Sequence, residues 1–255
     1  QTNLKQYKEY HSKYGTISYE YQRGNDCYIF IHGLAGYKLF FENAFHHHKY
    51  SNDKSILCLD LLGYGDSDAI LNGHKYSFKI QAQIVKELIG KLSHRSINLV
   101  LHSMSTALLP YLLSYPDIIV KKIFLLEGNI IDEDADWSKS ISNMTNKKYN
   151  NYFVQLKRNS KKIFSLNLFN IHEDKQVLDW SQCYHKVNKR ALRELARELY
   201  YKTIDKEIVS VLKSFSGIKY YFRGQNSPKW SGYDMLERLN ISLVEISKAG
   251  HFMML

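Results

Sequence analysis

The segment Ile97-Asn-Leu-Val-Leu-His-Ser-Met-Ser-Thr-Ala107 passes from an apolar run into a helical pattern, with Ser103 at the junction. A serine placed there serves one of two ends. Its hydroxyl caps the free N–H groups of the helix start, or a sharp turn exposes it as a nucleophile for acyl transfer. Ser105, two residues on and deeper in the helix, offers the same hydroxyl in an alternative register. Three consecutive histidines, His46, His47 and His48, suggest a metal cluster at first sight. Successive helical residues point about 100° apart, so three in a row do not converge on one ion and read as helix surface. Cys27, Cys58 and Cys183 form an odd, sparse set without a close pair, which argues against a disulfide framework or a zinc site. No metal or cofactor is expected.

A parallel sheet flanked by helices is what would position such residues. Apolar runs at 28–31, 56–59, 97–101 and 123–126 are short and rich in Ile, Val, Leu and Phe, as buried strands are. Helical patterns lie between them at about 40–50, 77–92 and 104–114, the second with Ile80, Ile84, Leu88 and Leu92 along one face. The alternation predicts an α/β domain. Residues 132–205 break it, holding no convincing buried strand but a strong amphipathic helix over 189–201, with Leu192, Leu195, Ala196 and Leu199 on one side. Strands resume at 218–222 and 241–246, around a helical stretch with Met235, Leu236 and Leu239. The expected organisation is a core of residues 1–131 and 206–255 with a helical insertion at 132–205.

Four segments, in order, resemble the α/β-hydrolase superfamily, its cap-bearing serine hydrolase branch in particular. They are His32-Gly33-Leu34-Ala35-Gly36 after the first buried strand, Asp60-Leu-Leu-Gly63-Tyr-Gly65-Asp-Ser67, His102-Ser103-Met104, and Ala249-Gly250-His251-Phe252 beyond the last strand. Together they span nearly the whole chain. The resemblance implies a mostly parallel sheet with an inserted helical cap, Ser103 as nucleophile and His251 as its base. It also implies an oxyanion hole made by the backbone N–H groups of Leu34 and Met104. The Asp60 turn has a mainly structural role in that family.

The sequence departs from the family twice. Leu101 stands two residues before Ser103, where a small residue is usual, and a register centred on Ser105 would have small residues on both flanks. The usual acid, the aspartate of a G-x-x-D pattern after the strand at 218–222, is replaced by Gly224-Gln-Asn-Ser227. Glu127, at the end of the preceding strand, resembles the variant acid of some haloalkane dehalogenases and completes a Ser103-His251-Glu127 triad. A carboxylate ending an apolar strand needs a partner, and the alternative reading of Glu127 is a buried cap on the following turn. Asp132, Asp134 and Asp136 are further candidates, otherwise read as a solvated acidic loop, and Asp234 lies within a helical pattern.

Hydrophobic residues make up 44% of the 255 residues and charged residues 24%, as in globular proteins and not in disordered ones. The net charge of +10 is dispersed, with no nucleic-acid motif and no basic stripe interleaved with aromatics, so no nucleic-acid partner is expected. No apolar run reaches the ~18 residues of a membrane span, so no integral membrane association is expected, and the cysteine usage points to the cytoplasm. Over 138–171 there is no Asp or Glu but seven basic residues, Lys139, Lys147, Lys148, Lys157, Arg158, Lys161 and Lys162. Either this is a solvated face or it attracts an anionic or carrier-linked substrate. The expected function is hydrolysis of an ester or thioester through an acyl-enzyme. The alternative is a binding protein that keeps the fold without catalysis.

Overall fold

The computed structural model describes residues 4–168 and 172–255. Gln1 to Asn3, Phe169 to Ile171 and the side chain of His48 lie outside it, and with them the ends of the polar N-terminus and of the acid-free stretch at 138–171. The strands are β1 (Gln6–Ser12), β2 (Gly15–Gln22), β3 (Asp26–Ile31), β4 (Lys54–Leu59), β5 (Ser96–His102), β6 (Ile119–Leu126), β7 (Ile218–Gly224) and β8 (Ser242–Ile246). They form one sheet in the order β1-β2-β4-β3-β5-β6-β7-β8. β1, β2 and β4 pair antiparallel and all later pairs are parallel. The mostly parallel sheet expected from the sequence is present, with each expected strand in place. The β1–β2 hairpin was not expected. β1 is a polar edge strand with no buried face, so the apolar alternation that marks a half-buried strand is missing from it.

Alternate strand residues serve opposite faces. Ile29, Ile31, Leu57, Leu59, Leu99 and Leu101 enter one large core, while Ile56, Cys58, Val100 and Leu126 enter a smaller cluster with Phe41 and Phe45 on the other face. Beside the smaller cluster an apolar groove of about 770 Å³ runs along Tyr28, Phe30, Phe124 and Met253. All three cysteines are buried and unbridged.

The expected helix at 40–50 is a 3-10 helix, Lys38–Phe45, followed by α1 (His48–Ser51). His46 is exposed and bonded to Glu42 at 3.2 Å. α2 (Phe78–Lys91) matches its expected span because Ser77 Oγ caps it, accepting from Ile80 N. The stretch after Ser103 is a 3-10 helix, Ser103–Leu108, leading into α3 (Leu109–Leu112) with Pro110 in its first turn. Between β6 and β7 the chain forms a 3-10 turn, Asp132–Ala135, then α4 (Asp136–Ser142), α5 (Asn146–Arg158), α6 (Ser160–Ser165), α7 (Asp174–Ser181), α8 (Cys183–Lys186), α9 (Lys189–Ile204) and α10 (Glu207–Ser214). α11 (Tyr233–Arg238) lies between β7 and β8.

α9 ties this helical segment to the sheet domain. Its apolar side, Leu192, Leu195, Ala196 and Leu199, is buried. Its polar side supplies Glu194 and Glu198, which accept from Tyr76 N at 2.7 Å and Phe78 N at 3.0 Å. Glu198 thus places a carboxylate at the α2 N-terminus, where unpaired N–H groups favour negative charge. Among the described residues no helix is long and apolar enough to cross a membrane.

Candidate active site

The parallel strands β3, β5, β6, β7 and β8 all run the same way. The residues just beyond their carboxyl ends, including His32, Ser103, Glu127 and His251, therefore gather along one edge of the sheet, where open α/β sheets hold their ligands. Ser103 leaves β5 with φ of 51°, a left-handed conformation that costs a non-glycine residue roughly 1–3 kcal/mol and turns its side chain out of the core. It lines a cavity of about 250 Å³ that His102, His251 and the loop from Gly33 to Gly36 also border. Ser105 does not reach this cavity. It is fully buried, and its Oγ donates to Ile31 O at 3.0 Å and to His102 O at 2.9 Å.

Glycine at position 33 lets the loop pack close to the nucleophile turn, since a Cβ there would crowd Ser103 Cβ at 3.0 Å and His102 Nδ1 at 3.1 Å. Leu34, the next residue, lies outside any helix or strand, and its N–H has no hydrogen-bond partner among the described residues. Met104 occupies the first turn of the 3-10 helix, where N–H groups lack an intrahelical acceptor. His32 anchors the loop from below. Its Nδ1–H donates to Gly33 O at 2.9 Å and its Nε2 accepts from Leu61 N at 3.1 Å.

The Asp60 turn holds the same loop at its far end. Asp60 is fully buried and accepts from Lys38 N at 2.6 Å, Lys38 Nζ at 2.7 Å and Asp66 N at 2.9 Å. Gly65 makes this approach possible, with φ of 53° and no room for a Cβ, which would fall 2.3 Å from Asp60 Cγ. Asp66 in turn pairs with Lys38 and with Lys186 of α8, a charged link from the loop to the helical segment.

Glu127 and His251 meet. Glu127 Oε1 lies 3.2 Å from His251 Nδ1, while Oε2 accepts from Gly224 N at 2.9 Å and from Ser227 Oγ at 2.7 Å. Arg223 Nη1 stands 3.9 Å from Oε1. Burial opposes ionisation of Glu127, but the hydrogen bonds from His251, Ser227 and Gly224 outweigh it and hold the carboxyl down at about 2. His251 is the more open partner, with 39% of its side chain exposed against 8% for Glu127. Its backbone oxygen lies 2.8 Å from His102 Nε2, and the two rings sit 4.6 Å apart. Burial first, then the neighbouring His251, push His102 down to about 3, so its ring is neutral and its Nε2–H donates. Ser103 Oγ forms no hydrogen bond among the described residues, though it shares the cavity with His251.

The other acids are elsewhere. Asp132 is exposed and pairs with Lys206, and Asp136 and Asp234 are exposed. Asp134 caps its own turn, accepting from Ile130 N at 2.8 Å, Ile131 N at 2.9 Å and Trp230 Nε1 at 2.8 Å. The roles of Ser227 and Arg223 were not read from the sequence. The signal for Ser227 was its place at the fourth position of Gly224-Gln-Asn-Ser227, the position at which an acid was sought.

The alpha/beta hydrolase fold family model matches residues 29–229. No curated protein matches the chain. Among solved structures, an esterase from Exiguobacterium antarcticum superposes with a TM-score of 0.77 at 18% identity, covering 94% of this chain and 90% of that one. A thermophilic esterase from Thermogutta terrifontis gives 0.75 at 13% identity, with 97% and 92% covered. A bromoperoxidase from Bacillus anthracis gives 0.74 at 12% identity, with 98% and 93% covered.

Proposed function

The chain belongs to the alpha/beta hydrolase fold family, and from that premise we propose that it is a serine hydrolase that cleaves an ester or thioester through an acyl-enzyme. The observation that carries this reading is the 3.2 Å contact of Glu127 Oε1 with His251 Nδ1, beside a serine at a left-handed turn in the same cavity. Glu127 accepts the Nδ1 proton, which leaves Nε2 of His251 as the base. That nitrogen takes the proton of Ser103 Oγ as the oxygen attacks the carbonyl carbon. The N–H groups of Leu34 and Met104 hold the developing oxyanion. Proton transfer from His251 to the leaving oxygen or sulfur breaks the bond, and water repeats the sequence on the acyl-enzyme. No cofactor enters any step.

In this reading residues 132–205 are a cap over a core of residues 1–131 and 206–255, and Trp137, Tyr152 and Ile163 of the cap border the cavity. The substrate is a small molecule. Three buried, unbridged cysteines fit a reducing compartment such as the cytoplasm. Labelling with a fluorophosphonate tests the proposal, since covalent capture needs an activated serine whatever the natural substrate. Capture by the wild-type chain and not by Ser103→Ala is the expected result. A folded wild-type chain that resists labelling is instead a binding protein that keeps the fold without the chemistry.

A further inference from the structure

On the serine hydrolase reading, we infer that the site takes esters with a short, uncharged acyl group, and that Leu156 and Ile163 set the length it accepts. The charge of the substrate follows from what borders the cavity. Among the described residues that line it, none is a carboxylate, a lysine or an arginine. His251 borders it too and already faces the Glu127 carboxylate, and the other titratable groups there are neutral. His102 is pushed down to about 3, and burial raises the Cys183 thiol and the Tyr152 and Tyr184 phenols. An acyl group carrying a carboxylate would lose its water there and find no counter-charge, a cost the neutral chain avoids.

The basic residues of the helical segment do not supply that charge. Lys139, Lys147, Lys148, Arg158, Lys161 and Lys162 are exposed on the outside, and Lys157 is turned over the Phe153 ring at 4.7 Å. None of them borders the cavity.

Length follows from the walls. A cavity of about 250 Å³ is smaller than the roughly 300–1,000 Å³ of pockets for drug-sized ligands. Leu156 of α5 is buried and Ile163 of α6 half-buried, and both border the space. Phe164, fully buried, packs tilted against Phe40 and Phe252 with ring centres 5.6 Å and 5.0 Å away, and so backs two of the lining residues. At the rim Trp137 Nε1 donates to Tyr152 Oη at 2.9 Å, tying α4 to α5.

The test is kcat/KM on p-nitrophenyl acetate, butyrate, octanoate, dodecanoate and hemisuccinate, run beside fluorophosphonate labelling. Butyrate should lead. Dodecanoate should fall at least about 100-fold below it, since even two methylenes that an apolar pocket cannot seat cost about tenfold each. Hemisuccinate should fall at least about tenfold below butyrate at both low and high salt. Leu156→Ala should raise the octanoate-to-butyrate ratio about tenfold. Ile163→Ala should move it the same way, which covers the case that Leu156→Ala does not fold. Dodecanoate or hemisuccinate turned over as fast as butyrate overturns the inference, as does an unmoved ratio in folded variants. A chain that is labelled at Ser103 but hydrolyses none of these esters also overturns it and leaves the serine hydrolase standing. A chain that is neither labelled nor active takes both down.

Discussion

The hydroxyl of Ser227 donates to Oε2 of Glu127 at 2.7 Å, from the position where the family resemblance called for an aspartate. The carboxylate that contacts His251 comes from the end of β6, while the residue after β7 supports it with an O–H donor. Asn226 N donates to Ala249 O at 2.8 Å, so the Ser227 loop also lies against the turn that carries His251. An acid at 227 therefore has a route to the same histidine. Ser227→Asp alone should lower activity and stability, because two carboxylates in contact cannot both stay ionised at low cost. The double change Glu127→Ser with Ser227→Asp should recover part of the kcat lost in Glu127→Ser, and equal kcat in the two would show that position 227 does not reach His251.

Ser103 and Ser105 separate cleanly by their partners. Ser103→Ala should abolish labelling and turnover, the loss at a nucleophile in a comparable triad enzyme being about a millionfold. Ser105→Ala removes two hydrogen bonds from a buried hydroxyl to Ile31 O and His102 O, which should lower stability by about 1–2 kcal/mol and leave most of the turnover. Labelling that survives Ser103→Ala and vanishes in Ser105→Ala would move the nucleophile to the second register.

Most of the fold was legible because the buried strands are continuous apolar runs and α2 begins at a capping serine. The edge strand β1 was hidden by its polarity, while β2 does alternate Ile17, Tyr19 and Tyr21 into the core, and the break at 40–50 into 3-10 and α segments leaves the same apolar pattern as one helix. In the candidate site, Ser103, His251 and the loop at Gly33 sit in local motifs with their own spacing. The contact of Glu127 with Ser227, a hundred residues apart, depends on the parallel pairing of β6 with β7. No local pattern carries that information. His102 is another such case, since its bond to the His251 backbone crosses from β5 to the chain beyond β8.

His102 holds the backbone that carries His251, through Nε2–H donated to its oxygen at 2.8 Å. His102→Leu should therefore lower kcat by about tenfold or more while KM changes little, since a small displacement of a catalytic group is costly. The pH profile should keep its shape, because the lost ring is neutral above a pH of about 3. A variant whose acid limb shifts in pH would show instead that His102 titrates during turnover.

Asp134 and Glu127 move in opposite directions, and a stability profile should resolve both. Burial drives Asp134 up to about 6 against its bonds from Ile131 N, Ile130 N and Trp230. Its folded value exceeds its unfolded one, so as pH falls from 7 towards 4 the folded chain takes up this proton first and gains stability. Glu127, held at about 2 from an ordinary 4.5, does the reverse. Below its unfolded value the unfolded chain protonates first, and stability drops as pH falls towards 2. Each shift corresponds to roughly 3 kcal/mol. Tm measured against pH should rise on acidification from 7 to 5 and then fall, and Asp134→Asn should reduce the rise to the part left by Glu20, which burial also lifts to about 6. An unchanged rise in that variant would assign it to another group.

Glu127→Gln decides whether the third member of the triad is in place. The carboxylate accepts from Gly224 N, Ser227 Oγ and His251 Nδ1, and an amide can match two of these contacts with its oxygen. Its NH2 group must then face the third, which is His251 Nδ1. An N–H aimed at Nδ1 requires that nitrogen to accept, so the ring proton moves to Nε2, and the nitrogen meant to take the Ser103 proton is already protonated. The analogous Asp→Asn change in a serine protease costs roughly 10⁴-fold in kcat through this wrong tautomer. With His251 exposed at 39% the ring has water as an alternative partner, so a loss of about 10²–10⁴-fold is expected. Asp132→Asn and Asp136→Asn alter exposed groups and should keep full activity, and Asp134→Asn should lose stability but not turnover. Steady-state kcat for the four variants, with folding checked by circular dichroism, settles the acid: an active Glu127→Gln beside an inactive aspartate variant would move the role to that aspartate, and four active variants would leave His251 working without a carboxylate partner.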